Sequence, residues 1–468
     1  MKTPIGKFSL AIVTLTLTFN LQLSTAHAGP AVTSIAGGSQ HSLFSKSDGS
    51  LWVMGDNYYG QLGLGFSTLR TNFPFQLLSS GVQKVAAGGH HSLYLAGGSL
   101  WVMGWNHFGQ LGDGTTNDHF FPEKIFTGSP GVYGVRVNVM AGGYYHSLYA
   151  TYSPTVLGYN NLYAMGANGA GELGDGTFTV HYSAEQVRYS TIISAVAAGE
   201  GHSLYLTGNG SLWAMGDNTD GQLGLGSIPE TNYAVMIVSS GVTAVAAGAY
   251  HSLFIKSDGS LWAMGANGYG QLGDNSTSNK FTPEQIAFNG VTAIAAGDAH
   301  SLFIKSDGSL WSMGWNYEGQ LGTGDFMDHK LPVLIVSSNV IAVAAGGSHS
   351  LFIKSDGSLW GMGNDLDGQL GIGNTTSRGV PMLIVRGPPP PPAITGISLS
   401  GANLLLTGAN GVNGEILNTL TSPDLAQPLS QWQSVATNVL GADGNFTITA
   451  ANAVTPGAAH QFYILQAQ

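Results

Sequence analysis

One stretch of this chain occurs seven times, and that repetition restricts the possible folds more than any other feature. Its marker is a histidine followed by Ser-Leu: His41, His91, His146, His202, His251, His300 and His349, spaced 50, 55, 56, 49, 49 and 49 residues apart. An aromatic follows each one (Trp52, Trp101, Tyr163, Trp213, Trp262, Trp311, Trp360), and then Met-Gly-x-Asn-x-x-Gly-Gln-Leu-Gly. The third copy has Glu172 in place of the glutamine, and the seventh has Asp365 in place of the asparagine.

Each unit reads as four short strands. In the best-formed copies "VTAVAAG" is small and apolar, "HSLFI" and "LWAMG" flank "KSDGS", and an apolar run such as "YAVMIV" supplies a fourth strand. Asp258-Gly259 is a dipeptide suited to a type I′ hairpin turn, which needs positive φ at both centres. Four strands per fifty residues is the pattern of a propeller blade. An open solenoid would need polar, atypical end repeats to cap its core. The first unit, near Val32, and the last, near Val385, look like interior units, so each end buries the other and a closed seven-bladed ring follows. Composition agrees: 69 glycines and only 9% charged residues fit many tight turns better than long solvated helices.

The ends differ from the repeats. Residues 1–28 carry Lys2 and Lys7, an apolar run from Ser9 to Leu23 and then Ala26-His27-Ala28, the three-part plan of a secretory signal peptide cleaved after Ala28. Its removal takes the formal charge from −11 to −13. An exported chain this acidic lacks the basic footprint of a nucleic-acid binder. It has no cysteine, which excludes disulfides, thiolate catalysis and Cys-ligated metals. The repeats occupy 32–386. Residues 387–393 form a proline-rich spacer, with Pro388 to Pro392 in a row. From 394 to 468 short alternating stretches, "GISLSG", "NLLLTG", "NFTITA" and "QFYILQ", read as a small β-sandwich-like module. Surface retention, sugar binding and capping are all open to it.

The paired glycine, His-Ser-Leu, turn, aromatic and Asn-x-x-Gly-Gln-Leu-Gly together resemble the regulator-of-chromosome-condensation (RCC) type of repeat, over about Val32 to Arg386. The resemblance implies an all-β, seven-bladed β-propeller, and the export signal points to an exported bacterial branch. The usual Trp-Gly before the asparagine is Met-Gly here, a departure that concerns packing. A secreted branch of the family resembles a β-lactamase inhibitor with an aromatic-rich face, although the C-terminal module departs from it. The eukaryotic member that gives the family its name exchanges guanine nucleotide on a small nuclear GTPase. Export and strong acidity speak against carrying that activity over.

The seven histidines invite a metal reading, but a metal needs three or four convergent ligands, and equivalent copies spread around a ring do not converge. They are read instead as structural, bonding backbone groups of their own or the next blade. The recurring Asn57, Asn106, Asn168, Asn218, Asn267 and Asn316 suit a braced tight loop. "GDNTDGQ" and "NDLDGQ" do not match the alternating oxygen pattern of a calcium loop. No nucleophile elbow, phosphate loop or His-Glu-x-x-His is present, and no cofactor is expected. Specificity is therefore sought where copies differ: in the pairs before each histidine and in the Gly-Gln-Leu-Gly loops. The candidate binding residues are Tyr58, Tyr59, Trp105, Phe108, Tyr144, Tyr145, Tyr250, Tyr269, Trp315 and Tyr317. In the third repeat Thr151–Asn160 replaces the tight turn and is expected to project as a long hairpin. The leading reading is a binding scaffold for a protein or glycan, secreted or held at the cell surface through the C-terminal module. The rival is a propeller lyase or hydrolase. That would need unsatisfied His, Glu or Arg converging on one face, or two carboxylates brought together from distant blades.

Overall fold

The computed structural model describes residues 30–388 except 67, 129–133, 154–159, 189–190 and 288, together with 393–400, 403–409, 416–422, 431–439, 445–451 and 462–467. Each repeat becomes one antiparallel sheet of four strands. In the fifth copy these are Val242–Ala247, His251–Lys256, Leu261–Gly265 and Lys280–Ala287, paired in chain order. Seven such sheets form a seven-bladed β-propeller, and the described residues include no α-helix. The second strand of a blade is buried almost throughout because neighbouring sheets cover both its faces, which is why "HSLFI" is a continuous run rather than an alternating one. The outermost strands are half-exposed and mixed in polarity.

Apolar clusters lie between successive blades. Leu204, Leu212 and Leu223 of the fourth blade pack against Val242, Phe254 and Met264 of the fifth. The seventh and first blades meet in the same way, with Leu351, Ile353 and Leu370 against Val32, Phe44 and Met54. The ring thus closes by the contact that joins every other pair, with no exchange of strands. The Met-Gly departure has its explanation here. A Cβ on Gly224, at φ +71°, would fall 2.6 Å from the Met264 sulfur of the next blade. A Cβ on the matching glycines of the other blades would come within 2.4–3.0 Å of Met54, Met103, Met165, Met215, Met313 and Met362. The flexible thioether fills the space under a tight glycine loop.

The hairpin at Asp258-Gly259 is not of type I′. Gly259 has φ +77°, but among the described residues only Asn275 and Asn339 have positive φ without being glycine, so Asp258 does not. Lys256 pairs with Ser260, and the Gly259 N–H donates to the Lys256 carbonyl. That is a three-residue loop, a type I turn followed by a left-handed glycine. Asp258 instead braces it, its Oδ1 accepting the Ser260 N–H at 2.9 Å. A two-residue turn with positive φ at both centres occurs in the second blade, where both are glycine, Gly97 and Gly98.

Pro30–Gly387 is one compact unit, and Pro388–Gln468 belongs to another. The latter contains two three-stranded antiparallel sheets, one of Ala393–Ser400, Asn403–Ala409 and Phe446–Ala450, the other of Gln433–Val439, Ile416–Ser422 and Phe462–Ala467. Leu404, Leu406, Phe446 and Ile448 are buried within it. The signal segment, most of the proline run and the tip of the third-repeat insertion (154–159) lie outside the described residues.

Candidate binding face at the channel mouth

The site is organised by the glycine three residues before each histidine. A Cβ on Gly248 would lie 2.3 Å from His251 Cε1 and 2.4 Å from the Gly297 carbonyl oxygen of the next blade. Only glycine fits, so the histidine ring can lie over the backbone. Its Nε2 then reaches the serine hydroxyl of the following blade at 2.7–2.9 Å: His41 to Ser92, His91 to Ser147, His146 to Ser203, His202 to Ser252, His251 to Ser301, His300 to Ser350, and His349 back to Ser42. The sequence reading had assigned these imidazoles to backbone groups; their partner is the serine of the next His-Ser-Leu.

That belt fixes the charge state. Each serine hydroxyl donates to a main-chain carbonyl of the histidine's own blade, as Ser252 does to Gln222 at 2.8 Å. The serine oxygen is therefore left to accept, and the imidazole is the neutral Nε2–H tautomer. All seven rings are fully buried, and each Nδ1 is without a partner. Burial pushes the pKa to about 3 for His91, His202 and His300, to about 4 for His146, His251 and His349, and well below the ordinary value for His41. The Nε2–H is already donated and the Nδ1 lone pair is buried, so neither is within reach of a ligand at the surface. Among the described residues no three His, Asp or Glu converge as metal ligands.

The residue after each of these glycines sits at the mouth of the central channel. Main-chain bonds run from blade to blade around it, such as Ser39 N–H to Gly89 O at 3.1 Å and Tyr144 N–H to Gly199 O at 3.0 Å. The lumen, about 100 Å³, is lined by glycine and alanine except where Ser39, Tyr144 and Asp298 enter. The Tyr144 hydroxyl of the third blade donates across the mouth to Asp298 Oδ2 of the sixth, at 3.0 Å. Burial, reinforced by the Glu200 charge and opposed by the Tyr144 bond, pushes the Asp298 carboxyl up to about 6.

Six of the ten predicted aromatics join one ladder over the first three blades. Tyr58 meets Tyr59 at 4.9 Å between ring centres, Tyr59 meets Trp105 at 5.5 Å, and Trp105 meets both Phe108 and Tyr145. Tyr145 in turn meets Tyr144 at 5.5 Å. His90 and His107, absent from the prediction, fill its gaps against Trp105. Tyr269 and Trp315 form a separate pair at 6.0 Å, and Tyr317, 71% exposed, joins neither group.

Between the two groups lies a cleft of about 360 Å³, lined by Tyr144, Tyr250 and Tyr269 and by Glu200, Asp220 and Asp298. Burial and the neighbouring Glu200 carboxylate raise the pKa of the Tyr250 hydroxyl, and Asp220 Oδ1 accepts from Asn279 Nδ2 at 2.8 Å. Sequence reasoning missed Asp220 and Asn279. The available signal was alignment, since Asp220 precedes Gly-Gln as Tyr59, Phe108 and Tyr269 do. In the two acidic loops considered for calcium, Asp217 accepts from Thr219 and Gln222, and Asn364 from Leu366 and Gln369.

Comparison with known families matches an RCC1-like domain over residues 156–406, more than half the chain, and RCC1 repeats over 32–61, 48–95 and 97–150. The chain belongs to the RCC1 repeat family. Among curated relatives, the ultraviolet-B receptor UVR8 of Arabidopsis thaliana is 29% identical over 218 residues, 45% of this chain and 47% of that protein. A secretion-regulating guanine nucleotide exchange factor of Bos taurus is 44% identical over 75 residues, 15% of this chain and 16% of that one. This RCC1-repeat chain thus spans less than half the length of these relatives. Solved structures of human WBSCR16 (TM-score 0.63, 23% identity, 74% of this chain and 96% of that one) and of Prp20p from Saccharomyces cerevisiae (0.62, 22%, 76% and 87%) share the fold.

Proposed function

We propose that this RCC1-repeat propeller is an exported binding protein that holds a protein partner on the mouth face. The observation carrying the reading is the unbroken ladder from Tyr58 to Tyr144, in which aromatic side chains remain partly open to solvent at positions whose residue type changes from blade to blade. Large, stiff rings with polar tips are the usual anchors of a protein interface, because they bury much area for little loss of side-chain freedom. The relatives lend support: Prp20p has binding properties towards Gsp1p and histones, yeast RCC1 (Prp20) is bound by Kap60, and another relative is a secretion-regulating guanine nucleotide exchange factor. Export rests on the residues 1–28 pattern, and retention at the cell surface is a role for the C-terminal module.

The test is capture from the extracellular fraction by the mature protein, with Trp105→Ala, Tyr145→Ala and Trp315→Ala in parallel. A partner retained by the native protein and lost with Trp105→Ala and Tyr145→Ala supports the reading. A partner retained by all three variants refutes it. A glycan partner is the second reading, favoured by the same exposed rings, and a retained oligosaccharide in place of a protein would establish it.

A further inference from the structure

We propose that the cleft between the fourth, fifth and sixth blades seats an arginine side chain presented by the protein partner. This deepens the binding reading above and rests on it. The cleft has three carboxylates in its lining, Glu200, Asp220 and Asp298, and no Lys, Arg or His. Several acids elsewhere stand beside a cation. On the hairpins at the opposite ends of the strands, Lys256, Lys305 and Lys354 stand two residues from Asp258, Asp307 and Asp356, each lysine lying over its own blade's tryptophan. Near the outer strands Asp274 holds Lys280 at 2.8 Å. The cleft gathers three carboxylates with no cation among its lining residues.

Its walls narrow the choice of cation. Tyr250 and Tyr269 are exposed on the same cleft whose lining is acidic, and Tyr144 closes its axial end. A guanidinium is planar, weakly hydrated and forked. It stacks on a tyrosine face while donating to two carboxylates, whereas an ammonium offers only a point charge. Bringing a cation between Glu200 and Asp298 also offsets the Glu200 charge, which adds to burial in raising the Asp298 carboxyl. The cleft adjoins the ladder through Tyr144, so a partner lying on the rings of the first three blades can extend one side chain into it.

The test is an NMR titration of the mature protein with the methylamide of N-acetyl-arginine, of N-acetyl-citrulline (the same shape without charge) and of lysine acetylated on its α-amine. Saturable binding of the arginine derivative, at least tenfold weaker for citrulline and severalfold weaker for lysine, is expected. The Glu200→Gln and Asp298→Asn variants, singly and together, should weaken arginine binding, the pair by tenfold or more. Asp258→Asn, on the opposite hairpins, should leave it unchanged. Citrulline binding equal to arginine, lysine binding tighter, native affinity in the double variant, or equal weakening by Asp258→Asn would each overturn the proposal. The citrulline comparison uses the native protein, so it stands even if a variant misfolds. Absence of arginine binding while Trp105→Ala still abolishes partner capture refutes the cleft alone. Arginine binding with no ring-dependent partner refutes the ladder alone.

Discussion

Replacing Asp365 with asparagine should stabilise the ring, and the gain should grow with pH. In the other six blades this position is asparagine, and its two ends do different work. Asn57 Oδ1 accepts the Leu62 N–H at 2.8 Å while Nδ2 donates to the Gly65 and Thr68 carbonyls. Asp365 keeps the first bond, to Leu370 at 2.8 Å, but its Oδ2 is buried without a partner. Burial, only partly offset by the Leu370 N–H and the Arg378 charge, pushes this carboxyl up to about 7. An unfolded aspartate titrates near 4, so between those values the folded state holds a proton that the unfolded state has lost. Stability falls through that window as pH rises, and the penalty is complete above about pH 7. Three units correspond to roughly 4 kcal/mol as a ceiling. The loop is open to water beside it, with Leu366 56% exposed, and screening reduces the realised cost to about 1–2 kcal/mol. Asparagine removes that cost and restores a donor, worth about 1 kcal/mol if a loop carbonyl meets it. Urea denaturation of both proteins at pH 5 and pH 8.5 measures this. A midpoint difference that is the same at both pH values, or a variant less stable at pH 8.5, refutes the reasoning.

The histidine belt should make the ring acid-labile. Each imidazole's folded pKa, about 3 to 4 for six of them, lies below the ordinary 6.5, so stability present at neutral pH is lost as pH falls from about 6.5 towards 4, at roughly 1.4 kcal/mol per pH unit per histidine; thermal melts across that range should show a steep, cooperative fall, and a flat profile would contradict the neutral belt. Ser301→Ala leaves the His251 Nε2–H buried without its acceptor and should cost about 1–3 kcal/mol in denaturant titration while leaving partner capture unchanged. Gly248→Ala, whose Cβ would press on both His251 and the next blade's carbonyl, should cost at least about 2 kcal/mol or prevent folding, as measured by urea midpoint or soluble yield. In the cleft, arginine binding should strengthen between pH 5 and pH 7 as Asp298, facing Glu200 and Tyr144, loses its proton near 6; affinity that is constant over that range would rule Asp298 out as the counter-charge.

The blades were legible in the sequence because what defines them is local and repeated. A run such as "HSLFI", a turn and "LWAMG" specify a hairpin without reference to anything distant, and seven registered copies specify the ring. The hairpin type was misjudged because Asp-Gly serves two geometries. Type I′ requires aspartate itself to take positive φ, and the three-residue loop avoids that by adding Ser257 and letting Asp258 accept a hydrogen bond. The partner of the histidines was missed for a different reason. Ser252 stands beside His251 in the chain but serves His202 in the blade before, and nothing in one repeat reveals a bond that exists only between two. Tyr144 and Asp298 are further apart still, and their bond across the mouth follows only once the ring has closed.

This division between repeated and variable residues explains how such a chain acquires specificity. Glycine, histidine and serine build a belt that is neutral, saturated along its circumference and the same in every blade, so it contributes no net charge and no preferred direction to the face above it. The field and shape of that face then depend on what stands at the mouth positions and before Gly-Gln. Aromatic residues at and beside these positions in the first three blades make the ladder, while Glu200 and Asp220 in the fourth blade and Asp298 in the sixth make the cleft acidic. Because these side chains rest on an invariant support, exchanging them alters recognition with little cost to the ring. The belt's own residues behave in the opposite way, since each is shared between two blades and its loss is felt by both. A substitution's effect on folding and its effect on binding should therefore separate by position within the repeat rather than by blade.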